Sequence, residues 1–372
     1  MVHAHIDVRR GVPLMPSGEE APMAKQTKVG AVFYETEGWE EERLRRSLSD
    51  LNPSFNRSEL NEETARLAQE AEVVSVFIHS RVTRAILSRL PNLKLLATRS
   101  TGFDHIDLSA CTERGIVVSN VPTYGTNTVA EHTFGLILAL SRNIYKAYVR
   151  TMRGDFSLQG LIGFDLKGRT LGVIGAGNIG LHVIRIARGF GMRVLAFDVR
   201  PNLMMAEVLG FEYVPLEVLL RESDIVSLHS PLTPANYHLI NRDTLSQMKR
   251  GSLLINTARG GLVDTEALIW ALDEGILAGA GLDVLEGEEL IQEEKQLLTA
   301  PSAEEKLRSI LRQHLLLRRE DVVVTPHIAF YSHEALARIV DTTVENIRDF
   351  LAGRPRNVVN PDVLETTERR AA

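Results

Sequence analysis

Residues 171–198 read LGVIGAGNIGLHVIRIARGFGMRVLAFD: an apolar run, a GxGxxG loop, an amphipathic stretch, a second apolar run and an acid at its end. Each piece has its own task in holding a dinucleotide. Gly175 permits the tight strand-to-helix turn, Gly177 lets backbone approach a pyrophosphate, and Gly180 lets the following helix pack close to the strand. With Asn178 and Ile179 they offer a pyrophosphate free N–H groups and the positive end of a helix dipole. Val183, Ile186, Ala187 and Phe190 recur at helical spacing, and Arg193–Phe197 is short and apolar, as a buried parallel strand is. Asp198, eighteen residues past Gly180, is placed to accept both ribose hydroxyls and to repel a 2′-phosphate, which favours NAD over NADP. Arg200 is the one nearby feature that points the other way.

The rest of the composition narrows the class. A chain of 372 residues with a 44% apolar fraction has room for two or three domains with real cores. Its 42 basic and 48 acidic residues give a formal charge of −6, which argues against nucleic acid as a general partner. Cys111 is the only cysteine, so an intramolecular disulfide and a cysteine-based metal site are both excluded; no metal is expected, and a reducing, cytoplasmic setting fits. The closest approach to a membrane helix, Phe134–Leu140, is too short for one. The N-terminal segment lacks the apolar core of a signal peptide and reads as a flexible tail over residues 1–26.

From Lys28 onward, short apolar runs alternate with helix-like stretches. Val29–Tyr34, Val73–His79, Leu93–Thr98 and Ile116–Ser119 are predicted strands, and a second series, Arg193–Phe197, Ile225–His229, Leu253–Asn256, Ala278–Asp283 and Val322–Thr325, accompanies the glycine loop. Such alternation implies an α/β chain of doubly wound parallel sheets. Asn127–Tyr145, apolar on nearly every side, reads as one buried helix of about five turns between the two series. Glu131 and His132 within it are best explained as satisfied polar residues of a packed helix. A final helix near Ser332–Leu351, stopped by Gly353, follows the last strand. The chain is therefore expected to return to its first domain, with the nucleotide domain inserted into a discontinuous substrate domain: 27–123 and 327–362 for the substrate, 124–326 for the nucleotide, and a tail over 363–372. Residues 287–320 stand out as a charged helical insert, with a capping box at Ser302 and Glu305 and a stripe through Leu307, Ile310, Leu311, His314 and Leu315.

In open parallel sheets the ligand sits beyond the carboxyl ends of the strands. The predicted strand ends carry polar residues that a core would not keep: His229 in SLHSPLTP, where Pro231 follows, Asn256 through Thr257 and Ala258 to Arg259 in INTARGG, Asp283 and Glu288 in GLDVLEGEE, and His327 in VVTPHIAF. Singly, each has a structural explanation; Arg259 could pair with Asp264, and His327 could cap a helix. Together they bring a cation, two carboxylates and an imidazole to one sheet edge.

These segments, with RSTGFDHIDL (99–108), NVPTYGTNTVAEHT (120–133) and TPHIAFYS (325–332), give the chain a strong resemblance to the D-isomer-specific 2-hydroxyacid dehydrogenases. Tyr124, the acidic LEGE segment and the AFYS after the histidine are most similar to the D-lactate dehydrogenase branch. The resemblance implies a catalytic set of Arg259, Glu288 and His327. Reducing a 2-oxo acid needs a hydride at the carbonyl carbon and a proton at its oxygen. An imidazole such as His327, with an ordinary pKa of about 6.5, suits proton exchange near neutrality. Glu288 would orient the ring and favour its charged form, and Arg259 would grip the substrate carboxylate with its fork of donors.

The resemblance also implies that the backbone amides of Ser100, Thr101 and Gly102, at the start of a helix, bind the substrate carboxylate. Tyr124 and Phe330 would shape the pocket, Asp283 would hold the nicotinamide carboxamide, and His229 would lie along the cofactor. It implies a homodimer, with Asn127–Tyr145 as a contact. Pyruvate is the favoured substrate; glyoxylate, hydroxypyruvate, a bulkier 2-oxo acid and phosphite are alternatives, as is an NAD-sensing corepressor of the same fold. The interval between Glu288 and His327 departs from the family pattern by its length.

Overall fold

A computed structural model describes residues 30–287 and 314–364. The expectations for the N-terminal tail, for Glu288, for the capping box of Ser302 and Glu305 and for Leu307, Ile310 and Leu311 lie outside the described residues.

Among the described residues, twelve strands form two wholly parallel sheets. The first contains β1 (Ala31–Tyr34), β2 (Ser54–Asn56), β3 (Val73–Val76), β4 (Leu95–Thr98) and β5 (Val117–Ser119) in the order β2-β1-β3-β4-β5. The second contains β6 (Thr170–Ile174), β7 (Arg193–Phe197), β8 (Glu212–Tyr213), β9 (Ile225–Leu228), β10 (Ser252–Asn256), β11 (Leu277–Leu282) and β12 (Val322–Val324), in the order β12-β11-β10-β9-β6-β7-β8. The central strands β1, β3, β4, β6, β9 and β10 are buried along their whole length, which is why they read as continuous apolar runs. β2 and β8 escaped the sequence reading because they are edge strands of three and two residues with exposed or half-buried positions.

The helix expected over Asn127–Tyr145 is two helices, Thr126–Ser141 and Ile144–Met152. Asn143 between them adopts a left-handed backbone, φ 50°, and the returning chain takes the helix-ending carbonyl: Phe164 N–H donates to Ser141 O at 2.8 Å. The first helix supplies Ala130, Phe134, Leu136 and Ile137 to the core of the seven-stranded sheet. The second buries none of its residues. In the helix after the glycine loop, Asn178–Gly189, the buried stripe runs through Val183, Ile184 and Ala187 rather than Ile186, and Phe190 ends the helix stacked on Phe134 at 5.3 Å.

The last helix, His333–Leu351, is capped by Ser332, whose side chain accepts from Ala335 N–H. Its Val340 and Ile347, with Val363 beyond it, pack with Ala31, Phe33, Val73 and Leu95 of the first sheet. Past the helix, Val358 bridges antiparallel to Ser119 at the β5 edge. The chain thus leaves the five-stranded sheet, builds the seven-stranded one, and comes back.

Candidate active site

The seven-stranded sheet reverses direction of winding between β6 and β9, and the loops leaving these two strands form the crevice. Gly175, just past β6, has φ +94°, and a Cβ there would stand 2.6 Å from Ser230 N and 2.7 Å from the carbonyl carbon of His229. A Cβ on Gly180 would lie 2.0 Å from the Gly175 carbonyl oxygen. Both glycines are therefore demanded by the protein itself. Gly177 is different: a Cβ there meets nothing within 4 Å. Open space at the N-cap of a helix with no side-chain cap is what an approaching pyrophosphate requires. Asp198 at the end of β7 accepts from Ala176 N–H at 2.8 Å and from Arg200 N–H at 2.8 Å, so one carboxylate ties the glycine loop to the turn after β7. His229 is enclosed, with Nε2 2.8 Å from Ser227 Oγ; burial drives its pKa down to about 3, so the ring is neutral.

After β10, Asn256 folds the chain back on itself: its Oδ1 accepts from Ala258 N–H at 3.0 Å and its Nδ2 donates to Arg259 O at 2.9 Å. Thr257 meets Thr133 of the preceding helix, hydroxyl to hydroxyl, at 3.0 Å. Gly260 lies so close to the Leu285 carbonyl that a Cβ would approach it to 2.1 Å. These constraints project the Arg259 guanidinium across to the first sheet, where it lies against Gly102 and where its Nε is 3.4 Å from Asp104 Oδ2. Asp264, the partner considered from sequence, caps the next helix through Glu266 and Ala267 N–H instead.

The loop facing Arg259 is Ser100–Gly102. The helix expected there starts only at Leu108. The segment is held as a turn by Ser100 Oγ, which bonds Gly102 O at 2.6 Å. Among the described residues, the N–H groups of 100–102 have no internal acceptor, so they remain able to bind a carboxylate without a helix dipole.

Asp283, 1% exposed, ends the β11 run and organises the loop bearing His327. Its carboxylate accepts from Thr325 Oγ1 at 2.6 Å, Ile328 N–H at 2.9 Å and Ala329 N–H at 2.8 Å, and its carbonyl accepts His327 N–H at 2.9 Å. His327 itself is held at φ +53°, a conformation L-residues adopt only when their surroundings enforce it. Two residues short of Glu288, Glu286 is anchored by His238 Nε2 at 2.5 Å, Tyr237 Oη at 2.8 Å and Thr265 Oγ1 at 3.0 Å. Burial pushes the Glu286 carboxyl upward, but its hydrogen-bond donors outweigh that and hold it below the ordinary range.

Phe330 packs edge-on against Tyr124 at 6.0 Å and against Phe77 at 5.7 Å. Burial pushes the Tyr124 phenol up to about 12, against the opposing pull of the nearby Arg259 and Thr101. The structure brings Tyr124 and Phe330 together, and Phe77 is a member of this aromatic cluster that sequence reasoning missed. The sequence pattern predicts a strand running on to His79. Instead β3 stops at Val76, because the Glu35 carboxylate takes Phe77 N–H at 2.9 Å and His79 N–H at 2.8 Å. Arg338 of the last helix was also unforeseen; it donates to Tyr124 O at 2.7 Å and reaches Thr128 Oγ1 at 3.3 Å, pinning the crossing between the two sheets.

Fold and crevice define an oxidoreductase of the NAD-dependent doubly wound kind. Residues 134–329 match the family model described as the D-isomer specific 2-hydroxyacid dehydrogenase, NAD binding domain. The D-lactate dehydrogenase of Escherichia coli is 42% identical over 299 residues, covering 79% of this chain and 88% of that protein. The glyoxylate reductase of Korarchaeum cryptofilum is 41% identical over 285 residues, covering 75% of this chain and 80% of its own. The crystal structure of the Aquifex aeolicus D-lactate dehydrogenase with NAD and lactic acid superposes with a TM-score of 0.81 at 37% identity, covering 89% of this chain and 99% of that one. The chain belongs to the D-isomer-specific 2-hydroxyacid dehydrogenases, in the branch similar to D-lactate dehydrogenases, and its cofactor is NAD.

Proposed function

We propose that the chain reduces a small 2-oxo acid, pyruvate first, to the D-2-hydroxy acid. The observation that supports this is the pocket wall: Phe77, Tyr124 and Phe330 close one side of a site whose other side offers the Arg259 guanidinium and the open amides of 100–102. Bound NADH supplies the hydride. Arg259 and the amides hold the substrate carboxylate, and Arg259 polarises the carbonyl as negative charge grows on its oxygen. His327 delivers the proton to that oxygen, with Glu288 assigned to orient its ring. Asp283 positions the His327 loop and keeps lone pairs for the nicotinamide carboxamide. The nucleotide occupies Gly175–Gly180, Asp198, His229, Pro231, Thr257 and Ala258.

The division 27–123 with 327–362 against 124–326 puts this pocket at the meeting of two domains. A homodimer is part of the same reading, but most of the apolar surface that supports it lies beyond the helix expected to form it: Tyr148, Met152, Phe156, Leu158 and Ile162 are 62–93% exposed. A reducing, cytoplasmic setting accords with the single buried Cys111, whose thiol burial pushes up to about 12.

NADH oxidation with pyruvate, glyoxylate and phenylpyruvate tests the substrate assignment. Pyruvate should give the highest kcat/KM; a higher value with phenylpyruvate would overturn the small-substrate reading, and no turnover of any of the three would overturn the activity. Sedimentation should show a dimer, and a monomer at micromolar concentration would contradict that part.

A further inference from the structure

His132 lies on the helix Thr126–Ser141, in the second turn past the crossing between the two sheets, and its ring faces the catalytic loop. Its Nε2 is 3.0 Å from Thr325 Oγ1 and 3.5 Å from Asp283 Oδ1. The donor accounting here has one solution. Thr325 has a single hydroxyl proton and gives it to Asp283 at 2.6 Å; its oxygen must then receive a proton from His132, so the ring carries Nε2–H. Among the described residues no lysine or arginine pairs with Asp283, whose buried charge is balanced by hydrogen-bond donors alone. His132 closes that set from a different element, one that begins at the crossing where Arg338 grips Tyr124 and Thr128.

We propose that His132 is a positioning residue of the reaction: through Thr325 it fixes Asp283, and Asp283 fixes the loop that holds His327 at φ +53°. The proposal rests on the assignment of His327 as proton donor. It differs from a packing role in a specific way, because what matters is one N–H in one place. Glutamine can put an amide N–H where Nε2 stands, whereas leucine fills similar volume with none.

The test uses the full chain, with His132→Leu and His132→Gln, assayed with pyruvate and NADH. His132→Leu should lower kcat on the order of tenfold, the worth of one hydrogen bond to a charged network, with the KM for pyruvate within about twofold. His132→Gln should recover at least half of the lost rate. Hydrogen exchange of the segment 325–332, measured in the same proteins without substrate, should quicken in the leucine variant and return toward wild type in the glutamine variant. Equal impairment of both variants, or unchanged exchange with leucine, overturns the role. The exchange result holds whether or not pyruvate is turned over, so failure of the substrate assignment and failure of this one are read separately.

Discussion

The carboxyl edges of the two sheets are built by opposite means. At the seven-stranded edge, close approach is made by removing side chains: Gly175, Gly180 and Gly260 sit where a Cβ would collide with backbone. At the five-stranded edge, loops are held by charge placed inside the protein. Arg99, 1% exposed at the end of β4, donates to Tyr34 O and Glu35 O, each at 2.7 Å, and to Ser75 Oγ at 3.1 Å, with Glu40 at 3.6 Å. Glu35 in turn holds the Phe77 loop. In the proposed reading the first edge is a cradle for an extended ligand that meets backbone, and the second is a frame that aims a few side chains at a small one.

The frame should be the more fragile. Arg99→Met would strip Glu40 of its countercharge and leave two carbonyls without their donor. Burial already raises the Glu40 carboxyl against the lowering pull of Arg99. The expected loss is about 3–5 kcal/mol of stability in denaturant titration, with part regained on adding Glu40→Leu. A loss under about 1 kcal/mol would mean that the charges do not hold this edge.

The cradle should split by position. Gly180→Ala forces a Cβ into the Gly175 carbonyl and should cost about 1–3 kcal/mol by overpacking, together with NADH affinity. Gly177→Ala enters open space and should leave the melting temperature unchanged while weakening NADH. Equal melting shifts for the two variants would erase the distinction between glycines needed by the fold and the glycine needed by the ligand.

The remaining effect appears only on acidification. Burial keeps His229 neutral down to about 3, whereas an unfolded histidine protonates near 6.5. Between those values the unfolded chain binds a proton that the folded one refuses, so stability is lost as pH falls through that window and is unaffected above it. His229→Gln should make the decline of the urea midpoint from pH 7 to pH 4.5 shallower. An unchanged decline would show that the ring is not held neutral.

The same contrast explains what the sequence disclosed. The glycine loop of the cradle is local: Gly175, Gly177 and Gly180, the helix and the acid lie within 28 consecutive residues, and each spacing has a steric cause, so cofactor class and fold were legible. The return of the last helix to the first sheet was legible from the mid-chain position of that run and from a helix-like stretch after the last strand. The frame is non-local. Nothing near Phe77 announces that a carboxylate 42 positions earlier takes its N–H, and an apolar run continuing to His79 looks like more strand. The Ser100–Gly102 turn was misread for a related reason. A polar segment before a helix resembles a cap, but the cap is Asp107, whose side chain accepts from Ala110 N–H. The break at Asn143 depends on Phe164 reaching Ser141, again across distance.

In the proposed reaction both edges serve one act, delivery of a proton to a carbonyl oxygen beside a bound dinucleotide. The most direct test is His327→Gln, with kcat for pyruvate reduction and the Kd for NADH measured on the same preparation. A fall in kcat of about a hundredfold or more with NADH affinity within twofold of wild type is the result expected; retained turnover, or comparable loss of rate and affinity, would contradict the assignment of His327 as the proton donor.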